Sequence, residues 1–370
     1  MARRSNKQSP QDIPQLDNAW LLIIHAMRSW VETEDEEIVR PYALVALNST
    51  GLMQNIDMQQ SEPEPADVLA FIHAAINRSE PSMKITPHRP KRILFEGAEL
   101  EEALRPALTE LGIASTITER DPGVTQMLRE MDAQSSEGAL DIPGLLSVAG
   151  VTPAFLVELF SAAAEFYRFA PWSLLQDTDM FAIQVAGDPR ERIVSIIGAA
   201  EMEYGLAVYE TWADVLNLFQ ESATVEERIA PGGSHLFSFG PMHEVPFDDL
   251  DAIEEHDLEV ADEDAFPAPM IFFPDERVER PNLADLLWYE AALWALPILM
   301  EDELKEDDAG EFLPTTATLT VATSRGDVAV TIRYPAGTLP GMAGSPMDMK
   351  RLMDVFMAEL EQEGEDEEDD

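Results

Sequence analysis

The sequence predicts an α/β amino-terminal domain followed by an α+β domain with mostly antiparallel strands. Three observations predict it. Strand-length apolar runs alternate with helix-period segments up to about residue 118. From Phe181 onward, short strand-like runs follow one another across turn residues. Between the two lie residues 120–143, punctuated by Asp-Pro-Gly, Ser-Ser-Glu-Gly and Ile-Pro-Gly. The expected domains are therefore residues 16–125 and 145–335, joined by a linker over 126–144.

Residues 1–15 are polar, open with a small basic arm and are expected to be disordered. Trp20 to Trp30 has the spacing of a short amphipathic helix. Pro41 then admits Tyr42 to Leu47, a buried strand, and Asn48-Ser-Thr-Gly51 turns it into a return strand over Leu52 to Met58. After the breaker Glu62-Pro-Glu-Pro65, Val68, Leu69, Ile72 and Ile76 share one helix face. Lys91 to Glu96 reads as a strand, Glu99 to Leu111 as a helix closed by Gly112, and Ile113 to Thr118 as a further strand. The alternation predicts a largely parallel sheet with helices packed on it.

In the second half, Thr152-Pro153 is an N-cap followed by proline at the first helical position. The helix it opens turns Phe155, Leu156, Leu159, Phe160, Ala163, Phe166 and Tyr167 inward and stops before Pro171. Phe181 to Val185 and Ile193 to Ile197 are strands about Gly187-Asp-Pro189, and Gly205 to Tyr209 is a third. Thr211 caps a helix with Val215, Leu216 and Phe219. His235 to Phe239 and Met270 to Phe273 add strands, and Asn282 caps a long helix with Leu286, Leu287, Leu293 and Trp294. Thr318 to Val321 and Val328 to Arg333 form a hairpin about Arg325-Gly-Asp327. Residues 336–358 are expected to be a loop and short helix, the helix running from Asp348 to Leu360.

Charge narrows the function classes. Against 24 Lys and Arg stand 71 Asp and Glu, a net charge of −47. Such a field repels phosphates and anionic headgroups, which disfavours nucleic acid and membrane and favours a basic protein partner, bound cations or simply solubility. From Glu359 to the end nine of twelve residues are acidic, and residues 359–370 are expected to be a disordered tail. Between Arg228 and Arg277 no Lys or Arg occurs. Apolar runs such as Trp20 to Ile24 are too short for a membrane span, the start lacks a secretory signal, and cysteine is absent. A cytoplasmic location is the expectation.

No catalytic, cofactor-binding or metal-ligating residue is assigned. Of His25, His73, His88, His235, His243 and His256, the last three share the acidic segment, which has the residue types of a metal site. The helical His-Glu-x-x-His spacing is missing, and Asp248 to Glu259 lacks the glycine of a calcium loop, so this stretch reads as a solvated acidic loop. Gly198-Ala-Ala-Glu201-Met-Glu203-Tyr204-Gly205 either lines a pocket or marks a strand bend, the bend being favoured. Phosphate-loop and nucleophile-elbow patterns are absent. Arg325-Gly-Asp327 reads as a turn, and Pro171-Trp172 with Trp288 to Trp294 as core or interface packing.

Two resemblances follow. The order of hairpin, helix, strand, helix and strand resembles the core of ribonuclease-H-like nucleases, transposases and integrases, whose first-strand aspartate and a carboxylate ending the fourth strand bind two metal ions. Here the first-strand position falls at Ala46 to Asn48, without a carboxylate; Glu96 matches the later one, and Asp57 lies on the return strand. The resemblance implies a degenerate, non-catalytic relative. Arg40-Pro-Tyr42, Pro90 to Ile93 and Leu108 to Ile113 resemble a bacterial domain-of-unknown-function family numbered 6930. Ala163 to Arg168, Pro171-Trp172, Ile197-Gly198, Gly205 to Tyr209, Phe239-Gly-Pro241 and Arg280-Pro281 resemble its frequent neighbour, family 7309. These families imply organisation rather than chemistry. The function expected is that of a non-enzymatic binding or protein-interaction module, the alternative being a divergent metal-dependent ribonuclease-H-like nuclease.

Overall fold

The computed structural model describes residues 10–33, 37–83, 85–135, 142–199, 203–218, 230, 232–275, 277–308, 310 and 312–337. Most of the expected arm, Glu201, Phe219, the helix over Asp348 to Leu360 and the acidic tail lie outside them. The chain divides into two compact units, Met1–Leu140 and Asp141–Asp370.

The first unit is built on β1 (Gln15–Ala26), where a helix was expected from Trp20. Both faces of β1 are covered, so Trp20 to Ile24 forms an unbroken apolar run that imitates a helix face. After a small hairpin of β2 (Val31–Glu32) and β3 (Ile38–Val39) come β4 (Tyr42–Asn48) and β5 (Met53–Gln59). Their turn is held by Asn48 Oδ1, which accepts from the Thr50 and Leu52 amides at 3.0 and 2.9 Å. Helix α1 (Pro65–Asn77), β6 (Arg89–Phe95), α2 (Ala98–Glu110), β7 (Ala114–Ile117) and α3 (Pro122–Ser135) complete the unit.

The sheet order is β5-β4-β1-β6-β7. Strands β1, β6 and β7 are parallel, while β4 runs antiparallel to both its neighbours. The sheet is mixed rather than largely parallel, because the first strand is one element earlier than expected. Trp20 and Leu22 of β1 meet Phe71, Ile72, Leu104 and Leu108 on one face. Ile23 meets Leu128 of α3 on the other, alongside Val45 and Leu47. Residues 126–135, expected to open the linker, thus belong to helix α3, which closes a core.

The second unit carries an eight-stranded antiparallel sheet. Its strands are β8 (Met180–Val185), β9 (Glu191–Ile197), β10 (Tyr204–Tyr209), β11 (Ser234–Gly240), β12 (Phe266–Phe272), β13 (Val278–Glu279), β14 (Thr315–Thr323) and β15 (Gly326–Tyr334). The order β13-β12-β11-β10-β9-β8-β15-β14 is a meander whose last hairpin folds back beside β8. Helices α4 (Pro153–Phe169) and α7 (Leu283–Ile298) pack on one face. The short α5 (Trp212–Leu218) sets Val215 against Met180, Ala182 and Ile193 on the other. Helix α6 (Phe247–His256) occupies the acidic segment expected to be a loop.

Thr152 caps α4 by accepting from the Phe155 amide at 3.2 Å, and Asn282 caps α7 by accepting from the Ala284 amide at 2.9 Å. With its π-helical continuation, α7 is long and apolar enough to cross a membrane by length and composition, but two thirds of it (67%) is buried in the unit. It is the central core helix.

Candidate functional site

The turn between β8 and β9 brings Asp188 and Arg190 to the start of α7. Gly187 at φ 94° makes that turn, and Arg190 donates from Nε and Nη2 to Asp188 at 3.0 and 2.8 Å. Arg190 also lies 3.2 Å from Asp285 and 3.5 Å from Glu210. Bonding to Asp188 stabilises the Arg190 charge and raises its pKa.

One step inward, Arg192 is the second residue of β9, just before the mostly apolar run Ile193 to Ile197, and is fully buried. It donates to Asp285 through Nη2, places Nε 3.2 Å from Glu210, and lies 4.9 Å above the Trp288 ring. Asn282, besides capping α7, donates to Asp285 at 2.5 Å, so the carboxylate is held from two sides. Buried His235 of β11 feels the same charges. Burial lowers its pKa, opposed by Asp285 and Glu210 and reinforced by Arg192. Burial likewise raises the pKa of Tyr289. Arg192 Nη1, His235 Nδ1, Trp288 Nε1 and the Tyr289 hydroxyl make no hydrogen bond among the described residues. Burying so many polar groups in one layer is costly to stability.

Above this network the surface opens into two adjoining cavities of about 340 and 550 Å³. Leu287, Thr323 and Arg325 line both. The smaller reaches Asp188, Arg190 and Trp288; the larger reaches Thr152, Ala154 and Glu158 at the start of α4. Beside them, fully buried Glu290 accepts from the Ser324 amide and, at 2.7 Å, from its hydroxyl. Burial raises the pKa of Glu290, which the two Ser324 bonds oppose. The arrangement offers an apolar floor, the Glu158 carboxylate without an ion pair among the described residues, and a set of fixed charges beneath.

The residues singled out in the sequence lie elsewhere. His25 Nε2 contacts both oxygens of Asp132 at 3.0 Å, and His88 contacts Thr86 O at 2.8 Å and Asn18 at 3.1 Å. Among the described residues no three His, Asp or Glu side chains are placed to hold a metal ion, and His235, His243 and His256 do not converge. Asp249, expected in a solvated loop, is buried and binds Arg280 and, at 2.6 Å, the Leu145 amide. Gly198 and Gly205 serve close packing. A Cβ at Gly198 would meet Trp172 at 2.8 Å, and one at Gly205 the Phe237 carbonyl at 2.0 Å. Glu96 directly follows β6 and is gripped by Arg120 through 2.8 and 2.6 Å bonds.

The charge network was missed because Arg192 and Asp285 are 93 residues apart. Its one local signal is the run Arg190-Glu191-Arg192 entering the strand Ile193 to Ile197.

Among solved structures, the chain is similar at 11% identity to a chain in the cryoEM structure of the simian T-cell lymphotropic virus intasome in complex with PP2A regulatory subunit B56 gamma. The match covers 56% of this chain and 77% of that chain at a TM-score of 0.21, too low to bear on fold or function. No curated protein matches. Residues 7–132 match the model of the domain of unknown function DUF6930 and residues 157–275 that of the domain of unknown function DUF7309, two matches in series along the chain.

Proposed function

We propose that the protein is a non-enzymatic cytoplasmic binding module whose second unit takes a basic segment of a protein partner into the groove beside α7. The groove supports this reading. Its floor is apolar at Leu287, and exposed Glu158 stands at one end without an ion pair among the described residues. Arg190 and Arg192 are already matched to Asp188, Glu210 and Asp285. Arg325 on the shared wall disfavours cations there and so directs them toward Glu158. The excess of acidic residues in the chain adds long-range attraction for such a partner.

Titration with an arginine-rich peptide tests it. Binding is expected at low salt, weaker at high salt, and lost in Leu287→Arg, which fills the shared floor while the half-buried site keeps its fold. Equal affinity for the variant at an unchanged melting temperature would overturn the reading.

A second reading, a divergent metal-dependent nuclease, is favoured by the place of Glu96 directly after the fourth strand of the first sheet in chain order. Incubation with Mg²⁺ or Mn²⁺ and nucleic acid separates the two. Cleavage abolished by Glu96→Gln would favour the nuclease.

A further inference from the structure

Strand β14 ends its sheet. Among the described residues it pairs on one side only, with β15, through nine consecutive residues from Thr315↔Tyr334 to Thr323↔Gly326 without a register shift. From Leu313 to Ser324 no residue is charged, in a chain where charged residues make up 26%. No proline interrupts the strand. Ala317, Leu319 and Val321 face the core, while Thr316, Thr318 and Thr320 are exposed.

Exposed edges invite pairing, and folded proteins guard them with short strands, charges, prolines or bulges. The other edges among the described residues are guarded. Strand β13 has two residues, with Arg277 and Glu279 beside it; β7 has four. Strand β5 carries Asp57 at its middle and a register shift against β4. Only β14, among these edges, is long, regular in register and neutral.

We propose that β14 is a dimerisation edge, pairing antiparallel with β14 of a second copy to join two eight-stranded sheets into one. An uncharged edge offers a basic partner nothing to select on. It is also where two copies, each of net charge −47, can meet with least local repulsion. Antiparallel pairing about a two-fold axis makes a strand complementary to itself. Threonine then faces threonine or its near neighbour, a favourable cross-strand pair. The hairpin already uses one, between the Thr318 and Thr331 hydroxyls at 3.0 Å.

Sedimentation across a wide dilution range gives the first readout, with a dimer expected that dissociates on dilution. Proline placed in turn at Ala317 and Thr318 removes one inward and one outward amide. The outward variant keeps the fold and weakens the dimer roughly tenfold or more, because symmetry removes two hydrogen bonds at once. Single cysteines at residues 316–322 of this cysteine-free chain give a readout independent of folding losses. The position on the axis meets its own copy within disulfide reach, so one position gives a covalent dimer far more readily than those beside it. A monomer at every concentration would overturn the proposal. So would a dimer that neither proline weakens and no cysteine locks.

Discussion

The guanidinium of Arg192 lies 4.9 Å from the centre of the Trp288 ring and donates to Asp285, and all three side chains are shut off from water. The cation is held between a ring face and a carboxylate, in the layer where the strands of the second unit meet α7. That geometry makes the pair costly to break from one side.

Asp285→Ala leaves Arg192 buried with one-third-exposed Glu210 at 3.2 Å and the more distant Asp188 at 3.9 Å to balance it. The expected loss is about 3–5 kcal/mol. Replacing both partners together, Arg192→Met with Asp285→Leu, is expected to cost clearly less than the sum of the single replacements. Urea unfolding of Arg192→Met, Asp285→Leu and the double replacement measures this, and additive losses would show that the two side chains do not act as a pair.

The first unit supplies a pH prediction. Hydrogen bonds from Arg105 and then Ser115 hold the Glu101 carboxyl at about 2, below its usual 4.5. A depressed carboxyl pKa contributes stability that is complete above the unfolded value and is lost as pH falls from about 4.5 toward 2. Melting temperatures taken down that range should fall more steeply for the native protein than for Glu101→Gln. Parallel curves would mean that the ion pair contributes nothing in solution.

Gly205 is a position where only a hydrogen fits. Its φ of 152° is unusual for L side chains, and an added Cβ would fall 2.0 Å from the Phe237 carbonyl oxygen on the neighbouring strand. Gly205→Ala is expected to lose about 3 kcal/mol or more. Gly51→Ala, at φ 77° with open space around it, should lose only about 1–2 kcal/mol. Thermal or urea unfolding compares them, and a mild Gly205→Ala would mean that β10 and β11 can part at little cost.

Elements announced by local chemistry were legible in the sequence. Thr152-Pro153 and Asn282 marked helix starts, and Arg325-Gly-Asp327 marked a hairpin turn, because capping and turning depend on neighbours in the chain. Strand β1 was not legible, since a strand covered on both faces has no alternation to read. Helix α3 did carry a stripe at Val124, Met127, Leu128 and Met131, but Asp-Pro-Gly before it outweighed the pattern. Helix α6 was hidden by its charge, although Phe247, Leu250 and Ala252 turn inward. The groove and its network were the least legible part, because they join β8–β9, α7 and the β14–β15 turn, and no local pattern encodes that meeting.

The bond from Ser324 to Glu290 sets an order on biosynthesis. The carboxylate is translated 34 residues before the amide and hydroxyl that satisfy it. Until the last hairpin has been made, Glu290 stays with water because the Ser324 partners that let it be buried are absent, and β8 lacks its pairing with β15. The second unit is thus completed only by its last strands.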